Sequence, residues 1–67
     1  MTVTRIVTEG PFTLRIEERG RGWWWRVTDG RDGRWRAGWS SSDAYALHDA
    51  RKAVDALRRQ AREEQAA

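Results

Sequence analysis

The hydrophobic repeat of this chain changes period once, and that change sets what the chain can fold into. From Phe12 to Glu18, apolar and polar residues alternate, with Phe12, Leu14 and Ile16 on one side and Thr13, Arg15 and Glu17 on the other. A period of two is the mark of a half-buried strand. From Leu47 onward the apolar residues Leu47, Ala50, Val54, Leu57 and Ala61 recur at steps of three and four. That spacing puts one apolar stripe along an amphipathic helix. The switch falls at Ser40-Ser41-Ser42-Asp43. Any of these residues can supply an N-cap oxygen, and an acid at Asp43 suits the positive end of the helix dipole. Strands followed by one helix make an α+β fold, a three- to four-stranded antiparallel sheet packed on one C-terminal α-helix in the order β-β-β-β-α.

Four strand-like runs are expected, at about residues 2–8, 12–18, 23–29 and 34–40, with the helix over about 42–63. The turns between them are Glu9-Gly10-Pro11, Arg19-Gly20-Arg21-Gly22 and Asp29-Gly30-Arg31-Asp32-Gly33. In the third run Val27 belongs inside, which sends Trp23 and Trp25 to the core and leaves Trp24, Arg26 and Thr28 outside. The fourth run then places Trp35, Ala37 and Trp39 inward and Arg34 and Arg36 outward. The first run has no clear inner face, because Val3 and Val7 share a side with Arg5 while Ile6 lies opposite. It reads as an edge strand. The helix should be roughly 33 Å long against about 23 Å for a seven-residue strand. Its end, Arg58 to Ala67, is therefore expected to overhang the sheet and to fray or pack on a partner. Arg51–Asp55, Asp55–Arg59 and Arg59–Glu63 are expected as exposed pairs four residues apart.

Sixty-seven residues make a single domain, 1–67. So short a chain buries a modest share of its surface, and the five Trp supply bulk to the core. With no Cys, neither disulfides nor thiolate metal sites are available. No apolar run approaches the roughly 18 residues of a membrane span, and a cytoplasmic location is expected, with no membrane partner. The net charge of +3 lies entirely in residues 1–41, where eight Arg face Glu9, Glu17, Glu18, Asp29 and Asp32. An excess of cations confined to one layer is the footprint of a surface that meets a polyanion.

Catalytic apparatus is absent from the pattern. His48 is the only imidazole and sits at the border of the apolar stripe, and no nucleophile-elbow or phosphate-loop spacing occurs. The expectation is a non-enzymatic chain with no cofactor and no metal. An exposed Trp24 among Arg15, Arg26, Arg34 and Arg36 is the candidate binding surface. Its bland counterpart is an indole capped by Arg side chains.

The stretch Trp23-Trp24-Trp25-Arg26-Val27-Thr28-Asp29, then Asp32-Gly33-Arg34-Trp35-Arg36, then Trp39-Ser40-Ser41-Ser42 and the Ala-rich run Ala44 to Ala53, resembles the arm-type DNA-binding domains of phage tyrosine integrases and the related AP2 domains. The resemblance implies a phage or mobile-element origin and a three-stranded sheet laid in the DNA major groove. It makes Arg15, Trp24, Arg26, Arg34 and Arg36 the DNA-contacting positions, with Trp39 the aromatic that packs on the helix. The two hairpin strands, the Ser-rich cap and Ala46, Ala50 and Ala53 also resemble small HicB-type antitoxins, which bind a toxin. DNA is thus the first expected partner. The alternative is a protein-interaction module, antitoxin-like or a phage inhibitor of a host protein, using the same face or the helix overhang. Self-association, if present, is expected as a homodimer through the C-terminal helix.

Overall fold

The computed structural model describes residues 3–66, and for Ala66 its backbone only. Thr2 and Ala67, included in the first expected strand and in the expected overhang, lie outside the described residues. Four strands form one antiparallel meander in the order β1-β2-β3-β4: β1 Thr4–Glu9, β2 Phe12–Arg19, β3 Gly22–Asp29 and β4 Trp35–Ser40. The helix α1, Asp43–Ala66, lies over β2, β3 and β4. This is the expected β-β-β-β-α arrangement.

Local chemistry explains the connections. Gly10 and Gly20 hold φ of 58° and 60° at the first position of two-residue hairpin turns. In the first turn Pro11 follows, its ring fixing the negative φ that the second position of a II′ turn requires. At the helix start, the Tyr45 N–H donates to Ser42 Oγ at 3.2 Å and the Ala46 N–H to the Ser42 carbonyl at 2.9 Å. Ser42 is therefore the N-cap among the candidates. Ser40 instead donates its hydroxyl to the Asp49 carboxylate, tying the end of β4 to the second turn of α1.

The core lies between one sheet face and α1. Phe12, Leu14, Ile16 and Val27 face Ala46, Ala50, Ala53, Val54 and Leu57, all buried. Val7, Trp25 and Leu47 pack at its rim. Full burial of each large side chain contributes about 1.5–3 kcal/mol, and the alanines let the helix come close to the sheet. Phe12 meets two cations as well, with the Arg31 and Arg58 guanidinium carbons 5.4 and 5.3 Å from its ring centre.

Directly paired residues share a face, so the register assigns every side chain. Strand β3 follows expectation: Val27 is buried beneath the helix, Trp23 and Trp25 lie half-buried on that same side, and Trp24, Arg26 and Thr28 point away. Strand β4 does not. Val27 pairs with Arg36, Trp25 with Gly38 and Trp24 with Trp39. Arg34 and Arg36 are consequently on the helix side, while Trp35, Ala37 and Trp39 are on the open face, the reverse of the sequence expectation. The Asp29 N–H bonds to the Arg34 carbonyl at 2.8 Å, closing the four-residue loop 30–33 that the expected runs 23–29 and 34–40 also leave. Asp29 shares the side of Val27, so its partner Arg34, and Arg36 after it, take the helix side; the sequence expectation phases this strand by the hydrophobicity of Trp35 and Trp39 instead of by pairing.

The other departures are at the margins. In β1, Arg5, Val7 and Glu9 take the helix side and Ile6 the open side. Arg51 reaches across to Glu9 at 2.9 Å in place of Asp55, whose nearest cation is Arg58 at 4.0 Å. The helix end is also held: Arg34 pairs with Glu64, so α1 is tied to the start of β4 six residues beyond Arg58.

Candidate functional site

Among the described residues, no element covers the second face of the sheet. Its rows run across all four strands: Thr4, Glu17, Trp24 and Trp39 form one; Ile6, Arg15, Arg26 and Ala37 the next; Thr8, Thr13, Thr28 and Trp35 the third. Arg19, opposite Gly22, closes one end. Three indoles, three guanidinium groups and one carboxylate therefore share a single surface.

The indoles are presented differently. Trp35 and Trp39 are 57% and 61% exposed, which removes them from the core assigned by sequence. Arg26 lies 4.9 Å from the Trp35 ring centre, and Arg19 lies 4.2 Å from that of Trp24, which is half-buried. Trp39 leans toward Gly22, where an added Cβ would meet its Cε3 at 3.5 Å. That is ordinary van der Waals distance, so the Trp39 ring borders Gly22 in the row it shares with Trp24. Trp39 and Trp35 are four residues apart on one strand, a separation of roughly 13 Å.

Charge on this face is organised around Glu17. Arg15 Nε and Arg19 Nε lie 3.4 and 3.2 Å from its carboxylate. The hydrogen bond from Arg19 holds the Glu17 carboxyl below its usual range, with the charges of Arg19 and Arg15 adding to the effect. Among the described residues Arg26 has no acidic partner; it stands opposite Arg15, with its guanidinium over Trp35. Between Ile6, Thr13, Arg15, Trp24, Arg26 and Thr28 the surface dips into a shallow recess of about 230 Å³.

Of the five residues selected from sequence, the structure brings Arg15, Trp24 and Arg26 together and separates Arg34 and Arg36 from them. Arg34 is held by Glu64 and by Asp32 at 3.2 Å; the hydrogen bond to Glu64, with the charges of Glu64, Asp32 and Asp29 adding to it, raises its already high pKa. Arg36 borders the groove between β4 and the helix, beside Trp25, Asp49 and Lys52. Sequence reasoning missed Trp35, Trp39 and Arg19. The signal available for the first two was Gly38, since a strand glycine marks close approach of another group. A Cβ there would stand 2.8 Å from Trp25 Cζ2. His48 is exposed on α1, away from this face.

The hairpin that sets the register is locked by Asp29. It is 1% exposed, and its carboxylate accepts the Arg31 backbone N–H at 2.9 Å and the Arg31 guanidinium at 3.1 and 2.9 Å. The side-chain bonds from Arg31, followed by the backbone bond, hold its pKa below the ordinary aspartate range.

No helix among the described residues is long and apolar enough to cross a membrane. Comparison with known proteins finds no matching family model, no matching curated protein and no matching solved structure. The geometry of the face is therefore what a functional reading rests on.

Proposed function

We propose that this chain is a non-enzymatic nucleic-acid-binding module whose open sheet face takes single-stranded nucleic acid. The observation that carries the reading is the placing of exposed Trp35 and Trp39 and half-buried Trp24 with Arg15, Arg19 and Arg26 on one open surface. Exposure forgoes the burial free energy an indole would contribute to the core. Flat aromatic rings beside cations are what bases and phosphates need, and base stacking tolerates any sequence. Reading a duplex major groove instead calls for donors that reach base edges. Arg34 and Arg36, two of the four Arg expected to do so, are on the helix side. The likeness to integrase arm-type and AP2 domains supports a nucleic-acid partner in general, and the corrected face favours an unstacked strand over a groove.

The test is a fluorescence titration with a 20-nucleotide dT oligomer and with a duplex of equal length, each at low and at moderate salt. Tighter binding of the single strand, weakened by salt, is expected. Trp35→Ala and Trp39→Ala should each reduce affinity about 5- to 150-fold, from the roughly 1–3 kcal/mol of one stacked base. Arg36→Gln, on the opposite face, should leave it unchanged. Absence of binding at low salt, or loss on Arg36→Gln and not on Trp39→Ala, overturns the reading.

A second reading, a protein partner, is favoured by one observation. Ile6, 64% exposed, borders the recess beside Trp24 and two Arg, and Trp and Arg are enriched at interface hot spots. On that reading Ile6→Ser weakens capture of a defined protein from nuclease-treated lysate and leaves oligonucleotide affinity unaltered; capture that Ile6→Ser does not weaken counts against it.

A further inference from the structure

We infer that the free edge of β4 is a self-complementary docking strand, and that two copies of this chain pair through it into one continuous eight-stranded sheet. The hydrogen bond from the Asp29 N–H to the Arg34 carbonyl fixes the alternation along β4. In an antiparallel ladder, hydrogen-bonded and non-bonded pairs alternate. Arg34, Arg36, Gly38 and Ser40 therefore turn their backbone groups toward β3, and Trp35, Ala37 and Trp39 turn theirs to the free edge. Strand β4 ends the sheet order, so no other strand uses those groups.

The run Trp35-Arg36-Ala37-Gly38-Trp39 is symmetric about Ala37 in the respects that pairing requires. An antiparallel copy with Ala37 opposite Ala37 sets Trp35 against Trp39 of the second copy, and Trp39 against Trp35. All three pairs are those with free N–H and C=O groups, and each exchanges two hydrogen bonds. On the helix side the same register sets Arg36 against Gly38 and Arg34 against Ser40, so each long cation meets a small residue and no like charges face each other. The two-fold axis stands perpendicular to the sheet, which keeps both helices on one side. With each helix centred near β3, they lie about three strand spacings, roughly 14 Å, apart. Packed helices come to 8–10 Å, so the gap accommodates Arg36, Lys52 and Arg59 without collision. The groove now open beside β4 becomes the cleft between the helices. There the Lys52 end of each helix lies toward the Glu63 end of the other.

The other edge offers less. Free groups on β1 belong to Thr4, Ile6 and Thr8 by the same alternation, set by the Glu18 N–H to Val3 carbonyl bond. A β1 pair would join threonines and one isoleucine, with no aromatic contact. Pairing through β4 also joins the two open faces, doubling the row of indoles and cations available to one strand of nucleic acid.

Sedimentation equilibrium of nuclease-treated protein up to about 200 μM reads the association without any ligand, so its outcome is independent of the nucleic-acid reading. Wild-type mass should approach twice the 7.8 kDa of one chain. Ala37→Pro should give single chains with an unchanged far-UV spectrum, because proline is tolerated on an edge where the N–H faces outward. Ile6→Pro, the equivalent change on β1, should remain paired. Ala37→Asp and Ala37→Lys test the axis without altering the backbone. Each alone should associate about fivefold more weakly through like charges directly opposite, and an equimolar mixture should recover pairing. A monomeric wild type, an Ala37→Pro dimer, an Ile6→Pro monomer, or a mixture that fails to recover overturns the inference. A dimer insensitive to all four changes would place the contact on the C-terminal helix instead.

Discussion

Gly38→Ala is the substitution most sensitive to how β4 is set in the sheet. Gly38 lies opposite Trp25, and a Cβ added there would stand 2.8 Å from Cζ2, 3.0 Å from Cε2 and 3.1 Å from Nε1 of that ring. Carbon contacts are optimal near 3.5–4.0 Å, so the indole must retreat by roughly 0.7–1 Å. It cannot do so freely, because Trp25 packs against the core cluster that contains Leu14, Val27, Ala53 and Val54. Overpacking of this kind costs about 1–3 kcal/mol. Loss of glycine from the unfolded chain offsets about 0.4–1 kcal/mol of that. The midpoints of the two ranges leave a net destabilisation of about 1.3 kcal/mol, equivalent to a fall in Tm of roughly 5–10 °C for a domain of this size. Thermal and urea unfolding followed by far-UV circular dichroism measure it. In a Trp25→Leu background the same change should cost less than about 0.5 kcal/mol, and the difference is the coupling between the two positions. A Gly38→Ala protein as stable as wild type, or additive effects of the two substitutions, would refute the register and with it the outward placement of Trp35 and Trp39.

Other consequences are local. Ser42→Ala removes the N-cap acceptor of Tyr45 and should lower stability by about 0.5–2 kcal/mol in urea unfolding, with Ser41→Ala near neutral. Asp29 has a folded-state pKa below its unfolded value. Its stabilisation is therefore complete above an ordinary aspartate pKa of about 3.9, and it is lost as pH falls through the lower folded value. Asp29→Asn should flatten that part of the pH–stability curve measured by chemical denaturation. An unchanged curve would show that the hairpin does not depend on this carboxylate.

Much of this architecture is legible in the residues alone. The alternation through Phe12, Leu14 and Ile16, the position of Val27 and the helical stripe from Leu47 to Leu57 each report burial directly, since apolar side chains at those periods have one side to occupy. The cap cluster at Ser40 to Asp43 marks the boundary because short polar side chains just before a helix accept from its free N–H groups. The phase of β4 is a different kind of fact. It depends on which residues pair across the turn between Asp29 and Arg34, and glycines at both Gly30 and Gly33 permit more than one pairing. Hydrophobicity then argued for the wrong answer: placing Trp35 and Trp39 inside satisfies a burial rule that the molecule sets aside. What decides the matter is contact across strands, the Trp25 ring over Gly38 and the Asp29 carboxylate locked by Arg31. Neither is visible along a single strand. Strand β1 was ambiguous for a related reason, as its inner charges Arg5 and Glu9 lie at the rim, where Arg51 reaches Glu9.

The functional reading depends on indoles that face solvent on the side of the sheet away from α1. Incorporation of 5-fluorotryptophan, with the five resonances assigned by single Trp→Phe substitutions, reads this directly through the fluorine shift between H2O and D2O. Trp35 and Trp39 should show the largest solvent shifts, Trp24 an intermediate one and Trp25 the smallest. Large shifts at Trp23 and Trp25 with protected Trp35 and Trp39 would contradict the account.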